Sequence, residues 1–158
     1  YEGGIKVPTI VRWPGKIAAD STSAQITGFE DWLPTLAEIA GTTVTTDNID
    51  GISFAPTLHG HEQPERDFLY REFPSYGGQQ SIRVGDWKAI RRNLMPRGDA
   101  QPVIRTELYH LGKDPAESTD VAAAHPEVVT KLEALMATQH EPSADFPFPV
   151  LDQLSTAH

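Results

Sequence analysis

The chain has 158 residues, 39% of them hydrophobic and 22% charged, with a formal net charge of −9 and no cysteine. An acidic balance argues against nucleic acid, whose binding needs a basic face that displaces counterions, and against an anionic membrane surface. Without Cys there is no disulfide, thiolate nucleophile or Cys-ligated zinc, and no stretch approaches the ~18 apolar residues of a membrane span.

The opening stretch is Tyr1-Glu2-Gly3-Gly4-Ile5-Lys6-Val7-Pro8. Gly3-Gly4 predicts a backbone that bends through positive φ or passes close to a neighbour. Residues 5–13 form an apolar, β-branched run that predicts a strand buried on both faces, with Pro8 at its start or at an irregularity and Pro14-Gly15 turning the chain. A doubly buried strand needs cover on both sides, so the sequence reads as part of something larger.

Residues 16–25 are a polar loop. Residues 30–41 read as a helix with acidic residues in the first turn, Pro34 near the start and Gly41 just past the end. Trp32, Leu33, Leu36, Ile39 and Ala40 recur at three- and four-residue steps, predicting one apolar face. Residues 42–61 are loop-rich, with a turn at Asp50-Gly51 and one helical turn at Thr57-Leu58-His59-Gly60. The period then changes to two. Strands are predicted over 67–73, 81–84, 87–92 and 107–111, with Gly85-Asp86 joining the middle pair as a hairpin and a long polar loop over 93–106. Pro126 suits a first helical position, and Val128, Val129, Leu132, Leu135 and Met136 line a face that should lie on the sheet. Residues 141–149, with three prolines and two phenylalanines, predict an extended tail pinned by its aromatics. The sum is an α+β arrangement: a small antiparallel sheet of about four strands packed by a C-terminal helix.

Few residues read as chemistry. His59-x-His61 has no third ligand at a matching spacing. His125 before Pro126 fits a helix start, and His110 fits packing within a strand. Asp47-Asn48-Ile49-Asp50-Gly51 fails as a calcium loop because Thr46 and Thr57 stand where Asp and Glu are required. Gly51-Ile52-Ser53-Phe54-Ala55 lacks the strand and helix that flank a nucleophile elbow. Arg97-Gly98-Asp99 is better read as a solvated turn than as a receptor motif. Arg83, Lys88, Arg91 and Arg92 gather cations on adjoining strands, and alternation sends Lys88 and Arg92 to one face and Arg91 to the other. They are either a solvated face paired with nearby acids or a lip that attracts an anionic ligand. No complete catalytic constellation is present.

Several segments resemble the sulfatases, formylglycine-dependent sulfuric ester hydrolases of the alkaline-phosphatase-like superfamily. The opening is similar to their Tyr-Glu-Gly-Gly-x-Arg-x-Pro segment followed by an apolar strand and Trp-Pro-Gly, with Lys6 where Arg is usual. Asp31-Trp32-Leu33-Pro34-Thr35-Leu36 resembles their Asp-x-x-Pro-Thr-Leu helix, and Asp50-Gly51-Ile52-Ser53 their Asp-Gly-x-Ser segment. Arg83-Val84-Gly85-Asp86-Trp87-Lys88 is similar to the Arg-x-Gly-x-Trp-Lys hairpin, and Glu107-Leu108-Tyr109 with Asp114-Pro115-Ala116-Glu117 to the Glu-Leu-Tyr…Asp-Pro-x-Glu run. The resemblance implies that residues 1–62 end an alkaline-phosphatase-like α/β catalytic domain and that 63–158 form the C-terminal subdomain. It also implies a parent enzyme that uses formylglycine, made from Cys or Ser in Cys/Ser-x-Pro-x-Arg, and a divalent cation, usually calcium. Neither group has residues here, so no catalytic or metal residue is assigned and this stretch alone is expected to be inactive. The implied ligand is a sulfated small molecule or glycan. Its rim is expected at Tyr76, Gln79 and Gln80 in one loop and at Lys88, Arg92 and Asn93 by the hairpin exit. The alternatives are a phosphodiesterase or phosphonate hydrolase of the same superfamily and a non-catalytic glycan-binding module. Apolar surface left uncovered is expected to make the isolated stretch self-associate.

Overall fold

The computed structural model describes every residue except 47, 64, 99 and 156–158, so Asp47 and Asp99 of the motifs above lie outside the described residues. In chain order the elements are α1 (Glu2–Ile5), a 3₁₀ turn over Phe29–Asp31 leading into α2 (Trp32–Ile39), α3 (Ala55–Leu58), strands β1 (Leu69–Phe73), β2 (Gln79–Val84), β3 (Trp87–Arg92) and β4 (Thr106–His110), a second 3₁₀ turn over Ala122–Ala124, α4 (Pro126–Gln139) and α5 (Pro149–Ser155). They divide into two compact units. One joins Tyr1–Lys6 to the residues from Phe68 onward, and the other is Val7–Asp67. The units part at 67/68 in the chain, and the first six residues go with the sheet.

The sheet is an antiparallel meander in the order β1-β2-β3-β4, as the period-two pattern predicts. Ile82 stands opposite Ala89, and Ala89 opposite Leu108, so alternation places these three on one face. The predicted stripe of α4 closes that face: Ile82, Ala89, Leu108, Leu132 and Met136 form a core in which none is more than 1% exposed, with Val128, Val129 and Leu135 around it. Each large side chain buried there contributes about 1.5–3 kcal/mol. The opposite face carries Arg83, Lys88 and Tyr109 in one row across three strands. Residues 141–148 carry no helix or strand, as expected of the tail, and α5 begins at its last proline, Pro149. Phe148 and Leu151, both 2% exposed, clamp it onto buried Leu94, while Phe146 is left out in solvent.

The opening differs from its expectation. Residues 7–13 form no strand, and Val7 and Ile10 are exposed. A ladder needs a neighbour for its N–H and C=O groups, and no described strand runs beside them. Gly3-Gly4 lies inside α1 without positive φ, and a Cβ on either glycine would meet open space.

In the Val7–Asp67 unit α2 ends as predicted. Gly41 adopts φ 70°, its N–H donates to Glu38 O, and the Thr42 N–H donates to Ala37 O, the paired bonds of a Schellman cap. The helix face is not the one its apolar spacing indicates. Asp31 and Thr35 are buried at 2% and 0%, while Leu33 and Leu36 are 56% and 54% exposed. Asp50-Gly51 is also no turn. Gly51 passes so close to the chain before α2 that a Cβ there would stand 2.1 Å from Glu30 O.

Candidate functional site

The segments that carry the family resemblance converge on two polar clusters, one in each unit. In the sheet unit, Tyr1 and Glu2 lie against the sheet face turned away from α4. Lys88, with a side chain 2% exposed, places Nζ 2.9 Å from Glu2 Oε1 and 2.8 Å from Glu117 Oε1, and Arg83 reaches Glu2 at 3.5 Å. The contact to Glu117 is an ion pair rather than a well-angled hydrogen bond. Glu117 also accepts the Glu2 backbone N–H. Its position explains the Asp-Pro-x-Glu spacing. Asp114 accepts the Ser118 and Thr119 N–H groups at 2.8 and 2.9 Å, which closes the turn and holds Glu117 at φ 53° with its carboxylate beneath Lys88.

Alongside, Glu107 accepts hydrogen bonds from Tyr1 and Tyr109 hydroxyls at 2.9 Å each and from Arg92 at 2.6 Å. Arg92 also lies 5.0 Å over the Tyr1 ring. Burial pushes the Glu107 carboxyl up, but the three donors outweigh it and hold the group below its ordinary range. The Tyr109 hydroxyl is driven up by burial and then by its bonds to Tyr1 and Glu107, so it stays a donor. Three cations (Arg83, Lys88, Arg92) meet three carboxylates (Glu2, Glu107, Glu117). The charge of this cluster is matched internally, with Lys88 buried rather than solvated and Arg92 left partly exposed.

On the α4 side, the buried Arg91 bonds Thr106 at 3.0 Å, Gln80 at 3.3 Å and Glu133 at 3.0 Å. Gln80 donates to the Tyr70 hydroxyl at 2.9 Å, Tyr70 to Glu72, and Glu72 sits 2.7 Å from His140 Nδ1, whose Nε2 is 2.9 Å from Asp152 of α5. His140 feels burial first, which lowers its pKa, but the two carboxylates raise it above its ordinary value. In the Val7–Asp67 unit, the Asp31 carboxylate accepts the Gly28 N–H at 2.7 Å and the Ile52 N–H at 2.8 Å and pairs with Arg66. Thr35 Oγ1 donates to Asp31 O and accepts the Phe54 N–H at 2.9 Å.

The six residues expected at a rim separate accordingly. Gln80 and Lys88 are buried and bonded within the sheet unit, and Gln79 and Gln80 begin β2 rather than ending a loop. Tyr76, Gln79, Arg92 and Asn93 remain together at one end of the face turned away from α4. Gln79 stands opposite Arg92, and Asn93 follows at φ 57° with its side chain over Gly77. The sequence reading missed Phe73, whose ring stacks on Tyr76. The sequence offered no signal for it, because the pairing with Gln79 at the end of β1 is set by the register. His140 was also missed, because its carboxylates lie 68 and 12 residues away in sequence.

A family model described as N-sulphoglucosamine sulphohydrolase, C-terminal, matches residues 1–141. The chain belongs to that family. Human arylsulfatase A is 31% identical over 169 aligned positions, covering 94% of this chain and 33% of the relative. An N-acetylgalactosamine-6-O-sulfatase of Bacteroides thetaiotaomicron is 29% identical over 147, covering 86% and 27%. A solved structure of a protein in complex with its substrate, D-glucosamine-2-N,6-O-disulfate, superposes with a TM-score of 0.66 at 26% identity, over 82% of this chain and 27% of that one. The chain thus spans a third or less of these relatives, and their C-terminal sulfatase region is the part it corresponds to.

Proposed function

We propose that this chain serves as the C-terminal region of an enzyme that hydrolyses sulfate esters on saccharides. The match along residues 1–141 carries the reading. The named substrate of the superposed structure and the amino sugar in the bacterial relative's name favour a sulfated saccharide. Within the reading, the two clusters hold the fold, and the part of this chain that faces ligand is the end of the sheet face away from α4, formed by Tyr76, Gln79, Asn93 and the exposed side of Arg92.

The implied calcium ion and formylglycine do not fit the residues present. Among the described residues no three His, Asp or Glu side chains converge on a metal position, and the sequence has no Cys and no Ser followed by x-Pro-x-Arg. Both groups, one to offset charge on the sulfuryl oxygens and one to supply the nucleophile, are therefore proposed to come from a preceding region of the parent.

The test is to extend the chain upstream along its gene and assay release of sulfate from an aryl sulfate and an N-sulfated glucosamine. The expected result is hydrolysis by the extended protein, lost on chelation and restored by calcium, with none from residues 1–158 alone. Cleavage of a phosphate diester with both sulfates untouched would overturn the reading.

A further inference from the structure

Tyr76 is 82% exposed and Phe73 49% exposed, and their rings stack with centroids 6.0 Å apart at an interplanar angle of 17°. Tyr76 has φ 52°, a left-handed conformation that side chains with a Cβ rarely hold without support. The support comes from the backbone. The Met95 N–H donates to Gly77 O at 2.6 Å and the Leu94 N–H to Gly78 O at 3.2 Å, with Leu94 itself fully buried. A Cβ on Gly78 would stand 2.9 Å from Met95 N, so this position is closed to larger residues. The turn is therefore fixed, yet neither ring joins any of the three apolar clusters of the sheet unit. A rigid aromatic surface that adds nothing to the core is pre-organised for a ligand.

Its surroundings are polar. Phe73 stands opposite Gln79, and Gln79 opposite Arg92, which places all three in one row on the face away from α4. The Arg92 guanidinium gives one terminal nitrogen to Glu107 and has further N–H donors, with 40% of the side chain exposed. The Asn93 side chain lies over the same turn. An apolar peptide covering the rings would also cover these amides without pairing them. A pyranose matches both parts, since its C–H face suits an aromatic plane and its rim carries oxygens.

We propose that the Phe73–Tyr76 stack is a platform for the C–H face of a saccharide ring, with Gln79, Asn93 and Arg92 bonding its hydroxyl and sulfate oxygens. The sulfate part rests on the function proposed above, whereas the platform itself does not. The test is NMR titration of the 158-residue chain with glucosamine N-sulfate and, separately, with glucosamine, following the ring protons of Phe73 and Tyr76. Saturable shifts with the sulfated sugar are expected. Tyr76→Ala should weaken binding roughly tenfold, and Tyr76→Phe should keep it, with the urea midpoint confirming that both variants fold. Equal binding of the two sugars would support the platform and count against the sulfate reading alone. Undisturbed rings with either sugar, an unchanged affinity in Tyr76→Ala, or shifts that follow protein concentration instead of sugar would overturn the platform.

Discussion

In the sheet unit the least exposed side chains are mostly apolar: Ile82, Ala89, Leu108, Leu132 and Met136 are each at or below 1%. In the Val7–Asp67 unit the fully buried positions include a carboxylate and a hydroxyl, Asp31 and Thr35, while Leu33, Leu36 and Ile10 lie open. Apolar burial is non-directional and tolerates small shifts. A latch such as Asp31, which serves two backbone N–H groups and Arg66 at once, fixes geometry but fails when one member is lost. The sheet unit carries its own core, and the other unit is held at a few polar points.

The largest expected effect is therefore Asp31→Ala. Removing one partner of a buried pair leaves two N–H groups unmet and Arg66 with only its longer contact to Glu30 at 3.8 Å, at a cost of about 3–5 kcal/mol. Hydrogen exchange should show lost protection at Ile52 and Phe54, with the β2 and β3 amides unchanged. Uniform loss in both units would break the comparison. Next comes Leu132→Ala in the α4 core, expected to cost about 2–5 kcal/mol. Here protection should fall across the sheet while Ile52 and Phe54 keep theirs.

A smaller effect concerns His140. Its pKa is raised in the folded state above the ordinary value of 6.5, so the protonated form is the one the fold prefers. Its stabilisation is fully present below pH 6.5 and is lost as pH rises through the folded pKa. The urea midpoint of the chain, minus that of His140→Gln, should shrink between pH 5.5 and 8.5. A difference that grows with pH would contradict the Glu72–His140–Asp152 bridge. The smallest effect is Tyr76→Phe, which should change stability by less than about 0.5 kcal/mol.

These contrasts also explain what could be read in advance. The four strands, the Gly85-Asp86 hairpin and the α4 stripe were legible because β2, β3 and α4 bury the residues that their periods nominate. The α2 face was not, since periodicity counts Leu33 and Leu36 as core whereas the fold turns the polar groups Asp31 and Thr35 inward. α5 was hidden behind the prolines at 142, 147 and 149, although a proline at a first helical position is favourable. The family motifs gave away membership but not their job. Lys88 reads as a surface cation on a strand, and only the approach of Glu2 and Glu117 from 86 and 29 residues away turns it into a buried tie. Tyr76 was legible as an exposed aromatic, but its stacking partner Phe73 required the register.

The proposed function divides this region into residues that hold it together and residues that meet ligand, and steady-state kinetics of the upstream-extended protein on a sulfated saccharide, run beside urea unfolding, tests that division directly. Tyr76→Ala should raise KM roughly tenfold with the midpoint unchanged, whereas Lys88→Met should lower stability by about 3 kcal/mol with KM unchanged in the folded fraction. A KM insensitive to Tyr76→Ala, or a Lys88→Met enzyme of full stability with altered KM, would contradict it.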